Sequence, residues 1–309
     1  MKVLVIGGTK FIGRAIVRIA NAQGHDVAVF HRGETEPEVT DQAVHIHGDN
    51  LTIMSQIDEI SGFAPDVAID TTQFDTERTE AVVSALTGVV DRYVLLSSMD
   101  VYVAYGRLHR TELGPLQPMP MNEDAELRKL PGFGLTETID NLLAEKVVLN
   151  QSALPATVTR LPGVFGPFDY QRRVESIVDK LEESDGVVKL HPIQANFRWS
   201  WGYVDNVAEM ILLAAGDHEP GNHIYNIGFP EGISVEEQHR MVADAIDWSG
   251  EIVVAEDGTE PPEQNLAQHW IADTSKFRRD FDFREQFSIE EAFKLTVENA
   301  KLHGNSDHD

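Results

Sequence analysis

The opening of the chain, residues 1–13, joins a short apolar run to a glycine-rich turn. Residues 3–6 are branched or aliphatic without a polar break, which is typical of a strand buried on both faces of a parallel sheet. Glycines follow at positions 7, 8 and 13, and a helical apolar pattern begins near Phe11. Because free amides and the helix dipole favour negative charge at such a helix start, the turn is suited to a pyrophosphate.

This opening belongs to a longer strand-turn-helix-strand pattern. Residues 11–20 keep apolar side chains at helical spacing, Gly24 ends the helix, and residues 27–30 form a second apolar run. A dinucleotide-binding fingerprint requires this unit. We therefore predict an α/β protein with a Rossmann-type, doubly wound parallel sheet.

Length and composition limit the possibilities further. A chain of 309 residues with 42% hydrophobic content can form a nucleotide-binding domain and a smaller partner. We expect a cytoplasmic protein, since no apolar run reaches the roughly 18 residues that span a membrane and no secretory signal opens the chain. The chain contains no cysteine, which excludes disulfides, thiolate catalysis and cysteine-bound metal.

The protein is strongly acidic, with a net charge of -26. Such a field repels phosphate backbones and anionic lipids, so we expect neither nucleic-acid nor membrane partners. The histidines show no zinc-like spacing, and His45 and His47 merely alternate along a predicted strand. The spacing therefore predicts no metal site.

Residues 7–13, Gly-Gly-Thr-Lys-Phe-Ile-Gly, resemble the extended and atypical short-chain dehydrogenase/reductases, the NAD-dependent epimerase/dehydratase family. Residues 24–27 and 30–33 continue the resemblance. It implies an oxidoreductase with a C-terminal substrate-binding lobe. One departure is Lys10, which replaces the family's middle glycine and whose ammonium could face a phosphate.

The end of the second predicted strand bears on cofactor choice. NAD-binding units usually place an acid there, but this chain has His31 and Arg32. Arg32 can pair with a 2'-phosphate, which favours NADP(H) over NAD(H). The resemblance implies that Asp49 meets the adenine amine, although Asp49 and Asn50 could instead cap the next helix. The predicted cofactor-binding residues are Gly7, Thr9, Lys10, Phe11, Ile12, Gly13, His31, Arg32, Asp49, Asn50, Thr71, Thr72, Ser97, Pro162 and Val164.

Residues 97–102, Ser-Ser-Met-Asp-Val-Tyr, carry the second resemblance. The family places a Ser or Thr four residues before such a tyrosine, and its hydroxyl bonds the reacting oxygen of the substrate. Ser98 fits this position, although it could also simply terminate a strand. Asp100 lies where related sugar-nucleotide dehydratases have an acid.

The family's Tyr-x-x-x-Lys pair is absent, because no tyrosine has lysine four positions later. Aligning residues 144–147 with the end of the family's catalytic helix places Glu137 at the tyrosine position and Asn141 at the lysine position. The acid/base could then be Glu137, Tyr102, Tyr105 or His109. Alternatively, the chain is a catalytically silent NAD(P)-binding sensor or scaffold. A third possibility, RNA binding as in the similar chloroplast stem-loop binding proteins, is disfavoured by the charge.

Residues 160–167 resemble the family segment that passes the nicotinamide, which implies Pro162 and Val164 as cofactor neighbours. We place the domain boundary here, with a Rossmann domain over 1–165 and a substrate lobe over 166–309, part of 200–228 returning to the sheet. Arg198 could bind a substrate pyrophosphate or form a structural ion pair. The sequence does not determine the oligomeric state, and a homodimer is one possibility. We predict an NAD(P)-dependent epimerase/dehydratase-like or reductase-like enzyme that acts on a carbonyl or sugar-like small molecule with a non-standard acid/base.

Overall fold

The computed structural model describes residues 1–72, 75–134, 136, 140–258 and 263–303. Within these ranges, strands and helices alternate through most of the chain. The strands are β1 (Lys2–Ile6), β2 (Asp26–His31), β3 (Val44–His47), β4 (Val67–Asp70), β5 (Arg92–Ser98), β6 (Ala156–Leu161), β7 (Gly163–Phe165), β8 (Val187–Leu190), β9 (Arg198–Trp199), β10 (Trp201–Tyr203), β11 (His223–Asn226), β12 (Ile233–Ser234) and β13 (Glu251–Val254). The helices are α1 (Phe11–Ala22), α2 (Ile57–Phe63), α3 (Thr76–Leu86), α4 (Val103–Leu108), α5 (Asn141–Asn150), α6 (Glu175–Glu182), α7 (Pro192–Ala195), α8 (Val204–Ala215), α9 (Val235–Ala245), α10 (Ser275–Phe281) and α11 (Ile289–His303).

Seven of the described strands form one parallel sheet in the order β11-β6-β5-β4-β1-β2-β3. Val3 of β1 lies opposite Val27 of β2 on one side and Val67 of β4 on the other. The strand order therefore reverses beside β1. In an open parallel sheet, ligands bind at such a switch point, outside the carboxyl ends of the strands. The predicted Rossmann-type sheet is confirmed.

Apolar side chains cover both faces of this sheet. Along β1, Val3 and Val5 join the core beneath α1 and α8, whereas Leu4 and Ile6 join the core beneath α3 and α5. Each of these four side chains has no exposed surface, and burying one contributes roughly 1.5–3 kcal/mol. No helix in the described ranges is both long and apolar enough to cross a lipid bilayer.

The second part of the chain continues from the same core. Within residues 200–228, α8 packs on α1 and β11 pairs with β6, so this segment joins the sheet. The core on the α1 face extends outward through Phe165, whose ring stacks on Phe293 with centroids 4.5 Å apart. The boundary at residue 165 stays a prediction.

Helix α5 begins at Asn141. Asp140 has an extended backbone, and its carboxylate accepts a hydrogen bond from the Leu142 amide at 2.8 Å. It is therefore an N-cap, which determines where the helix starts. Residues 137–139 lie outside the described part of the chain.

A buried ion pair connects α5 to the sheet. Oε2 of Glu145 lies 2.8 Å from a guanidinium nitrogen of Arg160 on β6, and each side chain is 1% exposed. Ser97 of β5 donates to the other oxygen of Glu145 at 2.6 Å. Since both charges have left water, each depends on the other for compensation.

We expect Glu145→Gln to lower the free energy of unfolding by about 3–5 kcal/mol, because Arg160 would keep a buried charge without its counter-ion. Urea denaturation followed by circular dichroism measures the change. Glu236→Gln is the matched control, since Glu236 pairs with Arg240 at the surface. It should cost no more than about 0.5 kcal/mol. Equal losses in the two variants would contradict a special role for the buried pair.

Candidate active site

The turn between β1 and α1 is shaped by close backbone contact. Gly7 has a φ of 83°, which is unfavourable for a side chain, and a Cβ there would lie 2.6 Å from the hydroxyl of Thr71. A Cβ on Gly13 would lie 2.3 Å from the Gly7 carbonyl oxygen. The two glycines therefore let α1 pack against the turn with its N-terminus at the carboxyl edge of the sheet.

Lys10 occupies the N-cap position of α1. Its backbone is extended, its side chain is exposed, and that side chain makes no capping hydrogen bond. The first amides of α1 thus face the edge of the sheet without a side-chain cap from Lys10, and an anion can accept from them. Lys10, which replaces the family's middle glycine, therefore does not block the first amides of α1.

A cavity of about 480 Å³ lies over this turn, at the carboxyl edge of the sheet. It brings together most of the predicted cofactor-binding residues. Those that line it are Gly7, Thr9, Lys10, Phe11, Ile12, Gly13, His31, Arg32, Asp49, Asn50, Thr71 and Thr72. Two hydrogen bonds hold this wall: Asn50 donates to the Thr72 hydroxyl at 2.8 Å, and the Thr71 hydroxyl donates to the Ile6 carbonyl at 3.0 Å. The cavity lies where a dinucleotide would meet the helix N-terminus.

Three predicted cofactor-binding residues lie outside the lining of this cavity. Ser97 is buried and donates to Glu145, as described above. Val164 is 3% exposed and belongs to the apolar core on the α1 face. Pro162 is buried beside Gly228, where an added Cβ would lie 2.7 Å from the proline ring. In the structure Ser97 thus makes a hydrogen bond, and Val164 and Pro162 pack in the interior.

Several residues that line the cavity were not predicted from the sequence, and Glu34 and Tyr170 are two of them. The Glu34 carboxylate lies 2.8 Å from a guanidinium nitrogen of Arg32, and both side chains are mostly exposed. An acid three residues beyond β2 is a sequence signal for a carboxylate that binds the ribose hydroxyls of a dinucleotide. Tyr170 also lines the cavity, with its ring edge against Phe11 at 6.1 Å between centroids. No local pattern indicates that contact, because the two residues are far apart in sequence.

A hydrogen-bonded group of polar residues lies at the carboxyl end of β5. Ser98 is two residues beyond Leu96, which lines the cavity, so the two share a face of the strand. The Asp100 amide donates to the Ser98 hydroxyl at 3.1 Å. Asn141 of α5 donates to Oδ2 of Asp100 at 2.9 Å. Asn141, which we expected from the sequence at the family's lysine position, therefore holds Asp100 beside Ser98.

Arg128 closes the other side of this group. It makes a two-pronged contact with Asp140, at 2.8 Å for each bond, and also donates to the Asp100 carbonyl. Its guanidinium lies 3.5 Å from Oδ1 of Asp100, whose side chain is 13% exposed. Burial raises the pKa of the Asp100 carboxyl to about 6, although Arg128 and Asn141 act in the opposite direction. Asp100 can thus exchange a proton near neutral pH.

Tyr102, one of the predicted catalytic candidates, lies in a buried hydrogen-bond network. Its side chain has no exposed surface. Its hydroxyl donates to Asn226 at 2.6 Å and accepts from Arg160 at 3.0 Å. Burial raises the pKa of this hydroxyl to about 12. Tyr102 therefore links the N-terminus of α4 to the sheet and does not line the cavity, and its catalytic role stays a prediction.

The other acid/base candidates have different positions. Tyr105 donates to the Phe133 carbonyl at 3.3 Å, and burial together with Asp100 raises its pKa. His109 stacks on the Phe133 ring at 4.7 Å, and burial lowers its pKa. Glu137 lies outside the described residues. Burial shifts the pKa of Asp100 towards neutrality, to about 6.

Arg198, the predicted substrate ligand, forms an ion pair. Its guanidinium lies 2.8 Å from Glu237 and donates to the Gly232 carbonyl at 2.9 Å. It lines a second cavity, of about 650 Å³, together with Phe229 and Glu285. This is the structural alternative that the sequence left open, although the side chain stays 42% exposed.

Three histidines lie close together in space, although their spacing in the sequence did not predict such a cluster. His31, His45 and His47 lie with Glu36 so that one ligand atom of each is within 4.8 Å of the others. His31 is buried and lines the cavity over the β1–α1 turn, whereas His47 is exposed. Strand pairing, which spacing alone does not reveal, produces this cluster.

The switch-point cavity, glycine turn and helix N-terminus define a Rossmann-type dinucleotide-binding protein. The chain matches the model of the NAD dependent epimerase/dehydratase family over residues 3–228, and it belongs to that family. Among solved structures, WbmG of Bordetella bronchiseptica in complex with NAD and UDP has a TM-score of 0.76 at 16% identity, with 99% of this chain and 97% of that chain covered. At this identity the match shows the shared fold.

Two curated relatives are more similar in sequence. Chloroplast stem-loop binding protein of 41 kDa b from Arabidopsis thaliana is 28% identical over 240 residues, which is 73% of this chain and 58% of that protein. The 2'-dehydrokanamycin reductase of Streptomyces kanamyceticus is 29% identical over 150 residues, 48% of this chain and 38% of the reductase. This chain therefore spans less than two thirds of either relative.

We expect Gly13→Ala to lower the free energy of unfolding by about 1–3 kcal/mol, because its Cβ would meet the Gly7 carbonyl oxygen. Gly62→Ala is the control: it lies in α2 and its Cβ would meet nothing within 4 Å. That variant should gain about 0.5–1 kcal/mol. Urea unfolding curves measure both changes. A Gly13→Ala protein as stable as the wild type would show that α1 can move away from the turn.

Proposed function

We propose that the chain binds a nicotinamide dinucleotide in the cavity over the β1–α1 turn and acts on a carbonyl or sugar-like small molecule. When bound, the cofactor would accept or supply hydride. The observation that carries the proposal is the Ser98–Asp100 group, two residues beyond a cavity-lining residue of β5. The family membership, the reductase relative and the NAD and UDP bound to WbmG support it.

The chain's own groups fit the cofactor's phosphates. The α1 N-terminus supplies backbone amides, and the contact of Gly13 with Gly7 leaves the turn free of side chains on its inner side. Lys10 adds an exposed ammonium at the same helix start. A pyrophosphate would thus find donors and positive charge together at this helix start.

Ser98 and Asp100 would divide the chemistry of the substrate oxygen. The Ser98 hydroxyl orients that oxygen by a hydrogen bond, and Asp100 gives up or takes the proton. Asn141 and Arg128 keep the carboxyl fixed beside Ser98. In this arrangement Asp100 performs the proton transfer that the family assigns to a tyrosine.

A second candidate function is a protein that binds the cofactor without catalysis. The observation in its favour is that both Asp100 oxygens already have partners, Asn141 on one and Arg128 near the other. A carboxylate so engaged must exchange a partner before it can reach a substrate. A folded protein that binds cofactor tightly but converts none of a broad carbonyl panel would favour this alternative.

We also propose that the cofactor is NADP(H). Arg32 lies on the cavity wall, and a guanidinium pairs with a phosphate in two-pronged geometry. Its present partner, Glu34, forms an exposed pair, which contributes little and can be exchanged. Glu34 is the competing influence, since a carboxylate there would repel a 2'-phosphate and suit a free ribose hydroxyl.

We expect NADPH to raise the melting temperature of the wild type more than NADH does, because a ligand that binds the folded state stabilises it. Arg32→Ala should weaken NADPH binding by about tenfold or more, because it removes one two-pronged contact with the 2'-phosphate. It should leave NADH binding unchanged, since NADH has no such phosphate. Glu34→Gln should widen the preference for NADPH. Thermal-shift titrations measure all three proteins. If the wild type instead binds NADH more tightly, and Glu34→Gln abolishes that preference, Glu34 is the residue that binds the ribose hydroxyl and the proposal of NADP(H) is wrong.

We expect the reaction rate to depend on a group with an apparent pKa of about 6, that of Asp100. In the oxidative direction Asp100 acts as a base, so kcat/KM should rise as pH increases through about 6. In the reductive direction it acts as an acid, so kcat/KM should fall over the same interval. Initial rates with UDP-hexoses, dTDP-hexoses and keto sugars, followed by NADPH absorbance, measure both profiles.

Asp100→Asn should remove this pH dependence and lower kcat about 100-fold or more, the usual contribution of a positioned acid/base. Asp185→Asn, at an exposed position, is the control and should keep both the rate and the profile. A profile that survives in Asp100→Asn would remove Asp100 from the mechanism while leaving the cofactor site untouched.

A further inference from the structure

Three histidines meet on one face of the sheet at its β3 edge. His31, the last residue of β2, is the register partner of His47, the last residue of β3. His45 lies two residues before His47, so alternation along the strand points it to the same face. Three imidazoles are thus side by side at the ends of two neighbouring strands.

Glu36 completes the cluster from the segment that follows β2. Its Oε1 lies 2.7 Å from Nε2 of His47, 3.8 Å from Nε2 of His31 and 4.0 Å from Nδ1 of His45. Nε2 of His31 lies 2.8 Å from Nδ1 of His45. Four ligand atoms, three nitrogens and one oxygen, therefore surround one small volume.

Hydrogen bonds around the cluster orient the rings. Nε2 of His45 donates to the carbonyl of Thr40 at 3.0 Å, which leaves its Nδ1 lone pair directed toward the other ligand atoms. Thr40 itself is fully buried, so this acceptor is held in place. A ring N–H bound to a backbone carbonyl, with the opposite nitrogen free to coordinate, is the arrangement found for histidines that bind metals.

We propose that His31, Glu36, His45 and His47 bind one divalent transition-metal ion of the Zn²⁺ class. Imidazole nitrogens and one carboxylate suit Zn²⁺, Ni²⁺, Co²⁺ and Cu²⁺, whereas Mg²⁺ and Ca²⁺ prefer oxygen ligands alone. The predicted absence of a metal site rested on sequence spacing. Two adjacent parallel strands and a following turn create a site that no spacing rule describes.

The geometry requires only small adjustments. Tetrahedral Zn²⁺ with ligand bonds of about 2.0 Å separates its ligand atoms by about 3.3 Å. The separations here, from 2.7 to at most 4.8 Å, lie on both sides of that value. The side chains of His47 and Glu36 are 56% and 46% exposed, so they are free to move, while His31 is held at 5% exposure.

Binding requires one proton to move on each of two rings, His31 and His47. In the metal-free cluster Nε2–H of His47 donates to Oε1 of Glu36 at 2.7 Å, and an ion at this Nε2 leaves the neutral ring with its hydrogen on Nδ1. In the metal-free cluster, the Gly33 amide donates to Nδ1 of His31 at 3.1 Å, so the ring's own proton is on Nε2 and points to His45. An ion at Nε2 displaces that proton, and the neutral ring then carries its hydrogen on Nδ1. Gly33, which lies in an exposed loop, exchanges its imidazole acceptor for water.

The experiment is isothermal titration of the untagged, chelator-stripped full chain with Zn²⁺. It is run in high salt with excess Mg²⁺, because the acidic surface binds hard cations without specificity. We expect one Zn²⁺ per chain at micromolar or tighter affinity, and a higher melting temperature with Zn²⁺ than without. Co²⁺ at the same site should show the intense visible absorption of tetrahedral coordination.

His47→Ala and Glu36→Gln remove exposed ligands, so the fold should be kept, which the metal-free melting temperature verifies. We expect each to weaken Zn²⁺ binding by at least about tenfold. His218→Ala is the matched control, an exposed histidine outside the cluster, and should bind as the wild type does. Absence of stoichiometric Zn²⁺ binding by the wild type, or binding unchanged in both ligand variants, would overturn the proposal.

Discussion

The contact between α1 and the turn after β1 is the constraint on which the rest of the structure depends. Gly13 approaches the Gly7 carbonyl so closely that no side chain fits between them. That approach directs the α1 N-terminus at the carboxyl edge of the sheet. Helix α8 packs along the same helix, and its Asp205 forms an ion pair with Arg18 of α1. The position of the segment that returns to the sheet therefore depends on where α1 lies.

Buried charge shapes the other half of the candidate site. Asn141 holds Asp100, and Arg128 lies between that acid and Asp140. In a low-dielectric setting each charge must be compensated, so these residues hold the segment before α5 against the end of β5. The result is a carboxyl whose pKa of about 6 suits proton transfer near neutrality.

The ends of β2 and β3 carry two kinds of chemistry within a short distance. Arg32 and Glu34 face the cavity, while Glu36 turns toward His45 and His47. One segment between the two strands therefore contributes to both groups. Because parallel strands all end at the same edge, a single connecting segment can line the cavity and also supply a residue to the cluster of imidazoles.

The sequence by itself determined the Rossmann half and most of the cavity lining, because apolar periodicity and glycine turns act locally and parallel strands must end together. It could not determine that Tyr102 is buried against Asn226, nor that α5 starts only after Asp140. Nor did it reveal the cluster at His31 and His47. These depend on strand register and on the path of connecting segments, which only the packed tertiary structure decides, since they join residues that no local pattern links.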